Sequence, residues 1–479
     1  GMARKKYDLN GRIICEISPQ ENWLNGSLAH GYQFEYDIAD RMVGIVGPDG
    51  KILERRILDK DGNLLKLYEG VDNLEELDKK SGICFTYNLS GRRKSITTPK
   101  GVTQKFIYDA MGNLTETIDG RGYSTKFNLD EWGRIITVSK ADGSKEHYTY
   151  DFAGNITSAK DGEGHIETFQ YNCRNLMEKR IDNINNVETY KYDREGNIAE
   201  RIDRNGNILT YDYNMYGSVV LRRSKSGDVE ETYGYYADGK LRYAIGGGMR
   251  YDYTYDNMGR LEEKKTCGRI LLKKSYDMNG NLHEYKDFTG KSVRYVHNLY
   301  NQLTVVYDNG VRQSQYEYDA VGNLIKHKIG DKIVTHYKYD IDNNLMELKT
   351  FIGGREAFAD NPYSNLLVDN SYEYDNNGNM QTKKTITGIN YYKYDEVNRL
   401  VNVTTPGYEE YFKYDKAGNR TERVTLYTDL LEGMNGGKIS NKGREGNRKI
   451  NDYYHYDKAN RLMKVLHVEE GSETKWEYK

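Results

Sequence analysis

The residues of this chain best suited to chemistry are carboxylates, and they come in rows. Asp109, Asp151, Asp193, Asp256, Asp319 and Asp415 each follow a tyrosine directly. Positioned carboxylates of this kind would serve general acid–base chemistry if the fold converged two of them. Each is followed three residues later by glycine, as in Asp151 and Gly154 or Asp319 and Gly322. That spacing marks a turn, because an aspartate opening a turn bonds the backbone two residues on and glycine accepts a positive φ. Asp59-Lys60-Asp61-Gly62-Asn63 and Asp203-Arg204-Asn205-Gly206-Asn207 resemble pieces of calcium loops. Neither has the later bidentate glutamate or the flanking helices of an EF-hand, and both fall where turns are needed.

The nine histidines are scattered, with none in a metal-binding spacing. Cys15, Cys84, Cys173 and Cys267 lie far apart and form no CxxC, so free, partly buried thiols are expected rather than a disulfide framework. No phosphate-cradling GxxxxGK[ST] and no GxSxG occurs. No catalytic, cofactor-binding or metal-binding residue is therefore assigned, no cofactor is expected, and the chain is not expected to be an enzyme.

The elements that position these turns repeat. With the tyrosine taken as anchor, the anchors from Tyr87 to Tyr339 cover 252 residues in twelve steps, a mean of 21. Others stand at Tyr7, Tyr36 and Leu58 before that block and at Tyr374, Tyr394, Tyr414 and Tyr456 after it, giving 20 repeats. Four residues after the anchor stands Gly in 14 repeats and Asn in 5, with Asp40 in the remaining one. These are the residue types that tolerate the left-handed region, so the pattern predicts a type I turn closed by a left-handed residue, a three-residue hairpin loop with a bulge. Aromatic-polar-Tyr segments such as Tyr148-Thr149-Tyr150 have period two and predict a strand with both rings on one face. The apolar residue six after the anchor, as Ile156 or Leu324, begins the return strand. A second turn at mid-repeat is expected at Asp119-Gly120, Asp142-Gly143, Asp161-Gly162, Asn205-Gly206, Ser226-Gly227 and Asn309-Gly310. Two strands per repeat give on the order of 40 strands. The expected fold is all-β: tandem β-hairpin repeats in a continuous antiparallel sheet that, because strands twist in one hand, spirals into an open tube or partial shell.

Three stretches follow from the spacing: irregular repeats with insertions over 1–86, a regular array over 87–359, and further repeats over 360–479. The last stretch has a long loop near 427–451 and ends at the start of another repeat, as expected of a slice of a longer polypeptide or of a protein whose last strand is left for something else to pair. The extra residues fall at 22–31, 72–82 (a candidate helical turn), 351–365 and 433–447. With 45 tyrosines and a mean hydropathy of -0.87, a thick aliphatic core is not expected. Tyrosine rows can stack along the sheet instead, and exposed rows could also stack on sugar rings. His297 replaces an anchor and is expected as a packed ring. A net charge of -2 argues against a general nucleic-acid binder, with Lys438–Arg448 the one local basic stretch. No stretch of about 18 apolar residues could span a membrane as a helix, and no signal peptide is visible.

The segments YTYDFAGNI (148–156), YKYDREGNI (190–198), YEYDAVGNL (316–324) and FKYDKAGNR (412–420) resemble the YD repeats of the bacterial Rhs (rearrangement hot spot) family. The resemblance runs from Tyr7 to Tyr478. It implies a long β-sheet wound into a hollow shell, which encloses a toxic domain in polymorphic toxins and insecticidal toxin complexes and serves adhesion in teneurin-like proteins. The family's Asp-Pro-x-Gly core motif is absent, so no autoprotease residue is assigned. The expected function is a non-enzymatic scaffold, part of a shell that encloses or presents a secreted toxin or effector. The alternative is a cell-surface adhesion or glycan-binding module using aromatic faces or inserted loops. Implied partners are a toxin cargo or the rest of a longer polypeptide, or a glycan; no nucleic acid is expected. The implied location is extracellular or at the cell surface.

Overall fold

The computed structural model describes residues 2–24, 31–71, 81–353, 365–427, 448–469 and 472–477. It is all-β, with 41 antiparallel strands in one sheet. Consecutive strands pair as a meander: Lys145–Tyr150 pairs with Ile156–Lys160, which pairs with Ile166–Tyr171. The tyrosine-anchored turns have the expected form throughout. Asp151 N–H donates to Asn155 O at 3.0 Å, Gly154 N–H donates to Asp151 O at 3.2 Å, and the register shifts by a bulge between Thr149 and Tyr150. All 20 residues four after an anchor have positive φ, including Asp40 at 61° and Asn343 at 65°. Burial alternates along the strands, with Tyr148 and Tyr150 half-buried and Thr149 exposed.

The mid-repeat turns depart from the expectation at two places. The left-handed residue is Gly122, not Gly120, and Gly164, not Gly162. Asp119 and Asp161 open the same three-residue loop used at the anchors, so the glycine that matters lies three residues on. True two-residue hairpins occur at Gly247-Gly248, Cys267-Gly268 and Asn309-Gly310, where both residues of the pair have positive φ.

A short helix, Pro19–Leu24, replaces the turn after the first repeat. Ser18 caps it, its Oγ accepting Glu21 N–H at 3.3 Å. The Ser-x-x-Glu spacing with Pro at the first helical position is a readable start signal. Residues 72–80, 354–364 and 428–447 lie outside the described residues, and with them the candidate helical turn and most of the basic stretch.

The fully buried apolar side chains among the described residues are few: Ile17, Val71, Val334 and Cys15. The chain forms two compact units. The first holds residues 1–103, 212–223 and 229–369; the second holds 104–211, 224–228 and 370–479.

Candidate functional site: turn-to-turn seams

Neighbouring repeats are fastened at the turn edge by two bonds that the period requires. The anchor hydroxyl reaches back one repeat to the carbonyl of the first residue of the return strand. Tyr150 donates to Ile135 O at 2.8 Å, Tyr192 to Met177 O at 2.6 Å, Tyr276 to Leu261 O at 2.9 Å and Tyr414 to Leu400 O at 2.8 Å. The second fastening starts at the residue after the left-handed position. Asn155 closes its own turn on Asp151, donating N–H to Oδ1 and Nδ2 to Oδ2 at 2.9 Å each, and reaches forward to Asn175 Oδ1 at 3.1 Å. Asn281 and Asn323 reach Asn301 and Asn343 in the same way. Where arginine takes this place, its guanidinium bonds the next turn's backbone, as Arg134 to Asp151 O at 3.0 Å. It also covers the anchor rings, with Arg134 4.6 Å from the Tyr150 centroid and Arg260 4.5 Å from that of Tyr276.

The turns also meet across long stretches of chain. In the first unit, Gln20 N–H donates to Asn279 Oδ1 at 3.0 Å. The Tyr300 hydroxyl bonds the Asp49 carboxylate, and its ring meets Tyr32 edge-on with centroids 6.2 Å apart. Gly47 and Gly70 leave the room this needs. A Cβ on Gly47 would lie 2.3 Å from the Tyr300 hydroxyl, and one on Gly70 would lie 2.3 Å from Val321 Cγ2. Lys100 N–H donates to Asp342 Oδ1 at 3.1 Å, while its ammonium pairs with the buried Asp340. Burial pushes the Asp340 carboxyl up, but Lys100 and Asn344 outweigh it and hold the carboxyl below its ordinary value.

In the second unit, Asn377 accepts Arg121 N–H at 3.2 Å and donates to Asp119 Oδ2 at 2.5 Å. The Arg121 guanidinium reaches Asn398 Oδ1 and Asp395 O at 3.1 and 2.9 Å. Arg399 Nη2 meets Asp142 Oδ2 at 3.0 Å, and Lys416 N–H donates to Glu163 Oε1 at 2.7 Å. Asp142 is raised by burial but lowered on balance by Ser144 and Arg399; Asp161 is likewise raised by burial and lowered on balance by Asn460 and His165.

These contacts follow one rule. In the first unit the mid-repeat edges of repeats 1 to 4 (anchors 7, 36, 58, 87) receive the anchor turns of repeats 13 to 16 (anchors 276, 297, 318, 339). In the second, repeats 5 to 7 (anchors 108, 129, 150) receive repeats 17 to 19 (anchors 374, 394, 414). The offset is twelve repeats at each of these seats, with separations of 240 to 259 residues; Arg121 also reaches the turn of repeat 18, and Asn460 of repeat 20 donates to Asp161 of repeat 7 at 2.8 Å, each one repeat further on. Residues 117–144 and 396–418 leave a cavity of about 410 Å³ at the second seam, and residues 49–70 and 298–322 leave one of about 550 Å³ at the first.

Residues 87–124 and 130–166 match the RHS Repeat family profile. These two stretches carry RHS repeats. No curated protein sequence matches it. Among solved structures, the crystal structure of TcdB2-TccC3-Cdc42 aligns with 99% of this chain and 26% of its own, at 14% identity and a TM-score of 0.64. TcdB2-TccC3 without its hypervariable C-terminal region aligns with 93% of this chain and 26% of its own, at 14% identity and a TM-score of 0.58. The likeness establishes a shared fold, and this chain spans about a quarter of the length of the chains it matches.

The remaining candidates of the sequence fall into place as follows. The aspartates after the anchors point into their own turns, and Asp59 and Asp203, the calcium-like pair, are bonded by Asn63 and Asn207. Among the described residues no three metal-binding side chains converge. His297 is packed within 3.9 Å of the Asp277 carboxylate of the preceding repeat. Cys173 and Cys267 are exposed rather than partly buried, because both sit on turns. Ring-on-ring stacking along the tyrosine rows is sparse. The anchor rings meet guanidinium groups and carbonyls, so at Tyr150 and Tyr276 an open face for sugar stacking finds no support. Sequence reasoning missed the hydroxyl bond, although a signal exists: phenylalanine stands two before the anchor at six positions, among them Phe106 and Phe169, and never at an anchor. Only the anchor needs a donor.

Proposed function

We propose that this RHS-repeat scaffold is a passive, non-enzymatic wall that encloses or presents a secreted toxin or effector outside the cell. The observation that carries this reading is the twelve-repeat offset at which the seated turns of both units meet. A ribbon that meets its own edge at a fixed interval becomes a sealed surface, and sealing demands fixed lateral contacts while catalysis demands convergent reactive groups. The first are present in both units, and the aspartates that might have supplied the second are bonded within turns. The fold is shared with TcdB2-TccC3 crystallised without its hypervariable C-terminal region, a separable segment of that protein, and this likeness supports a cargo held by such a wall. No helix among the described residues is long and apolar enough to cross a membrane. Cargo and location are tested by electron cryomicroscopy and mass spectrometry of the protein purified from its own culture, medium and cells separately. The expected result is extra density and an additional polypeptide bounded by the ribbon in the secreted fraction. A ribbon that bounds no additional polypeptide, in either fraction, would overturn the reading.

A further inference from the structure

One guanidinium ties the second seam together. Arg399 stands five residues after the anchor of repeat 18. It donates Nε to Asp395 Oδ2 at 2.7 Å, Nη1 to Asp415 O at 3.2 Å and, across the seam, Nη2 to Asp142 Oδ2 at 3.0 Å. It also lies over the next anchor ring, 5.0 Å from the Tyr414 centroid. Two carboxylates, a carbonyl and a ring face converge there on a planar fork of donors, the geometry that suits arginine.

The first unit builds the same place around an amide. Repeat 14 meets repeat 2 as repeat 18 meets repeat 6. Asp49 corresponds to Asp142: each stands two residues after the residue that opens its mid-repeat loop, and each accepts an N–H two residues on, from Lys51 at 3.2 Å and from Ser144 at 3.0 Å. Tyr318 corresponds to Tyr414, with both hydroxyls donating one repeat back at 2.8 Å, to Leu303 O and Leu400 O. The residues that change are those of the charge pair: Asn298 stands in the place of Asp395 and Gln302 in that of Arg399. Gln302 accepts Asn298 Nδ2 at 2.8 Å and turns its own Nε2 toward Gly322, 3.1 Å from where a Cβ would stand. The cavity of about 550 Å³ opens at this point, with Asp49, Asn298, Gln302, Tyr318 and Asp319 among its walls. That size admits a small ligand or a long side chain. Among the described residues no cation lies over the Tyr318 ring. Asp49 Oδ1 is taken by the Tyr300 hydroxyl, and Lys51 Nζ lies 3.5 Å from Oδ2 as a point charge that covers no ring.

We propose that this cavity binds an alkylguanidinium from outside the chain, in the place that Arg399 takes in the second seam: over the Tyr318 ring, with its N–H groups on Asp49 Oδ2 and Asp319 O. A guanidinium is favoured over an ammonium because the ring face and the two acceptors are those that a planar fork spans in the second seam, whereas Lys51 already supplies a compact charge. An arginine side chain of another polypeptide and a free guanidino compound share this chemistry.

Calorimetric titration of the full chain with N-acetyl-arginine methylamide, agmatine, and the capped lysine and citrulline counterparts tests this. A guanidinium probe should bind at least about tenfold tighter than the lysine and citrulline probes. Binding of the capped arginine identifies a polypeptide side chain as a fitting source, and binding of agmatine alone identifies a free compound. Asn298→Asp with Gln302→Arg rebuilds the pair of Asp395 and Arg399. This variant should bind neither guanidinium probe and should melt at or above the wild-type temperature, which also shows that it is folded. Asp49→Asn should weaken binding at least about tenfold. Binding of neither guanidinium probe to the wild type, equal binding of the lysine or citrulline probe, or a double variant that binds like the wild type or melts below it overturns the proposal.

Discussion

The seam of the first unit and the seam of the second obey the same offset with different chemistry. The first is fitted by volume: Tyr300 against Tyr32 and Gly47, Val321 against Gly70. The second is fitted by charge and carboxamides: Arg121, Arg399 and Asn377 on Asp119, Asp142, Asp395 and Asn398. The offset therefore does not come from a particular side-chain lock. What the two seams share is the number of repeats between their partners, and the side chains that meet there differ.

The sharpest way to break the comparison is Gly70→Ala. The position has φ 58°, and the new Cβ would also lie 2.6 Å from the Val321 backbone nitrogen. Backbone atoms cannot step aside as a flexible side chain can, so overpacking and left-handed strain together should cost about 3 kcal/mol. Thermal melting should drop by several degrees, and equal melting would deny the close approach. Next comes Arg121→Ala in the second unit. It removes two hydrogen bonds and a cation–π contact at 4.7 Å to Tyr123 from a side chain 14% exposed. A loss of about 2 kcal/mol is expected, read by urea titration. A change within error would make this seam incidental.

Gly154→Val and Gly322→Val compare the repeat itself in the two units. Both sit at positive φ, 92° and 103°. A Cβ at Gly154 meets nothing within 4 Å, whereas one at Gly322 lies 3.1 Å from Gln302 Nε2. Each should lose about 1–2 kcal/mol through the backbone alone, with Gly322 the worse of the two. Unchanged melting of both would count against the hairpin assignment. The smallest and most graded effect is acid. Asp49 and Asp340 in one seam, and Asp142 and Asp161 in the other, all have folded pKa values below the ordinary one despite burial. Their stabilisation is full above the unfolded carboxyl value of about 4 and is lost as pH falls through the lower folded values. Hydrogen exchange at the seam turns should rise below that pH while the strand interiors stay protected; uniform exchange would contradict the assignment.

The ribbon was legible in the sequence because its determinants are local. Gly154 or Asn343 four after the anchor states a backbone dihedral, and aromatic-polar-Tyr states a strand face. The helix at Pro19–Leu24 was equally legible from Ser18 and Glu21 and was obscured by the insertion beside it. The mid-repeat register slipped at Asp119 and Asp161 because a glycine directly after an aspartate imitates a two-residue turn. The seams were not legible at all. Tyr300 and Asp49 share no pattern, since they meet across 251 residues and no local spacing pairs them.

The account stands on the twelve-repeat offset, and a zero-length carbodiimide cross-link tests it most directly. The Lys100 ammonium lies against the Asp340 carboxylate across 240 residues of chain. Mass spectrometry of the cross-linked monomer should find an amide joining Lys100 to Asp340. Lys100 joined only to carboxylates near it in sequence, with Asp340 unmodified, would contradict the seam.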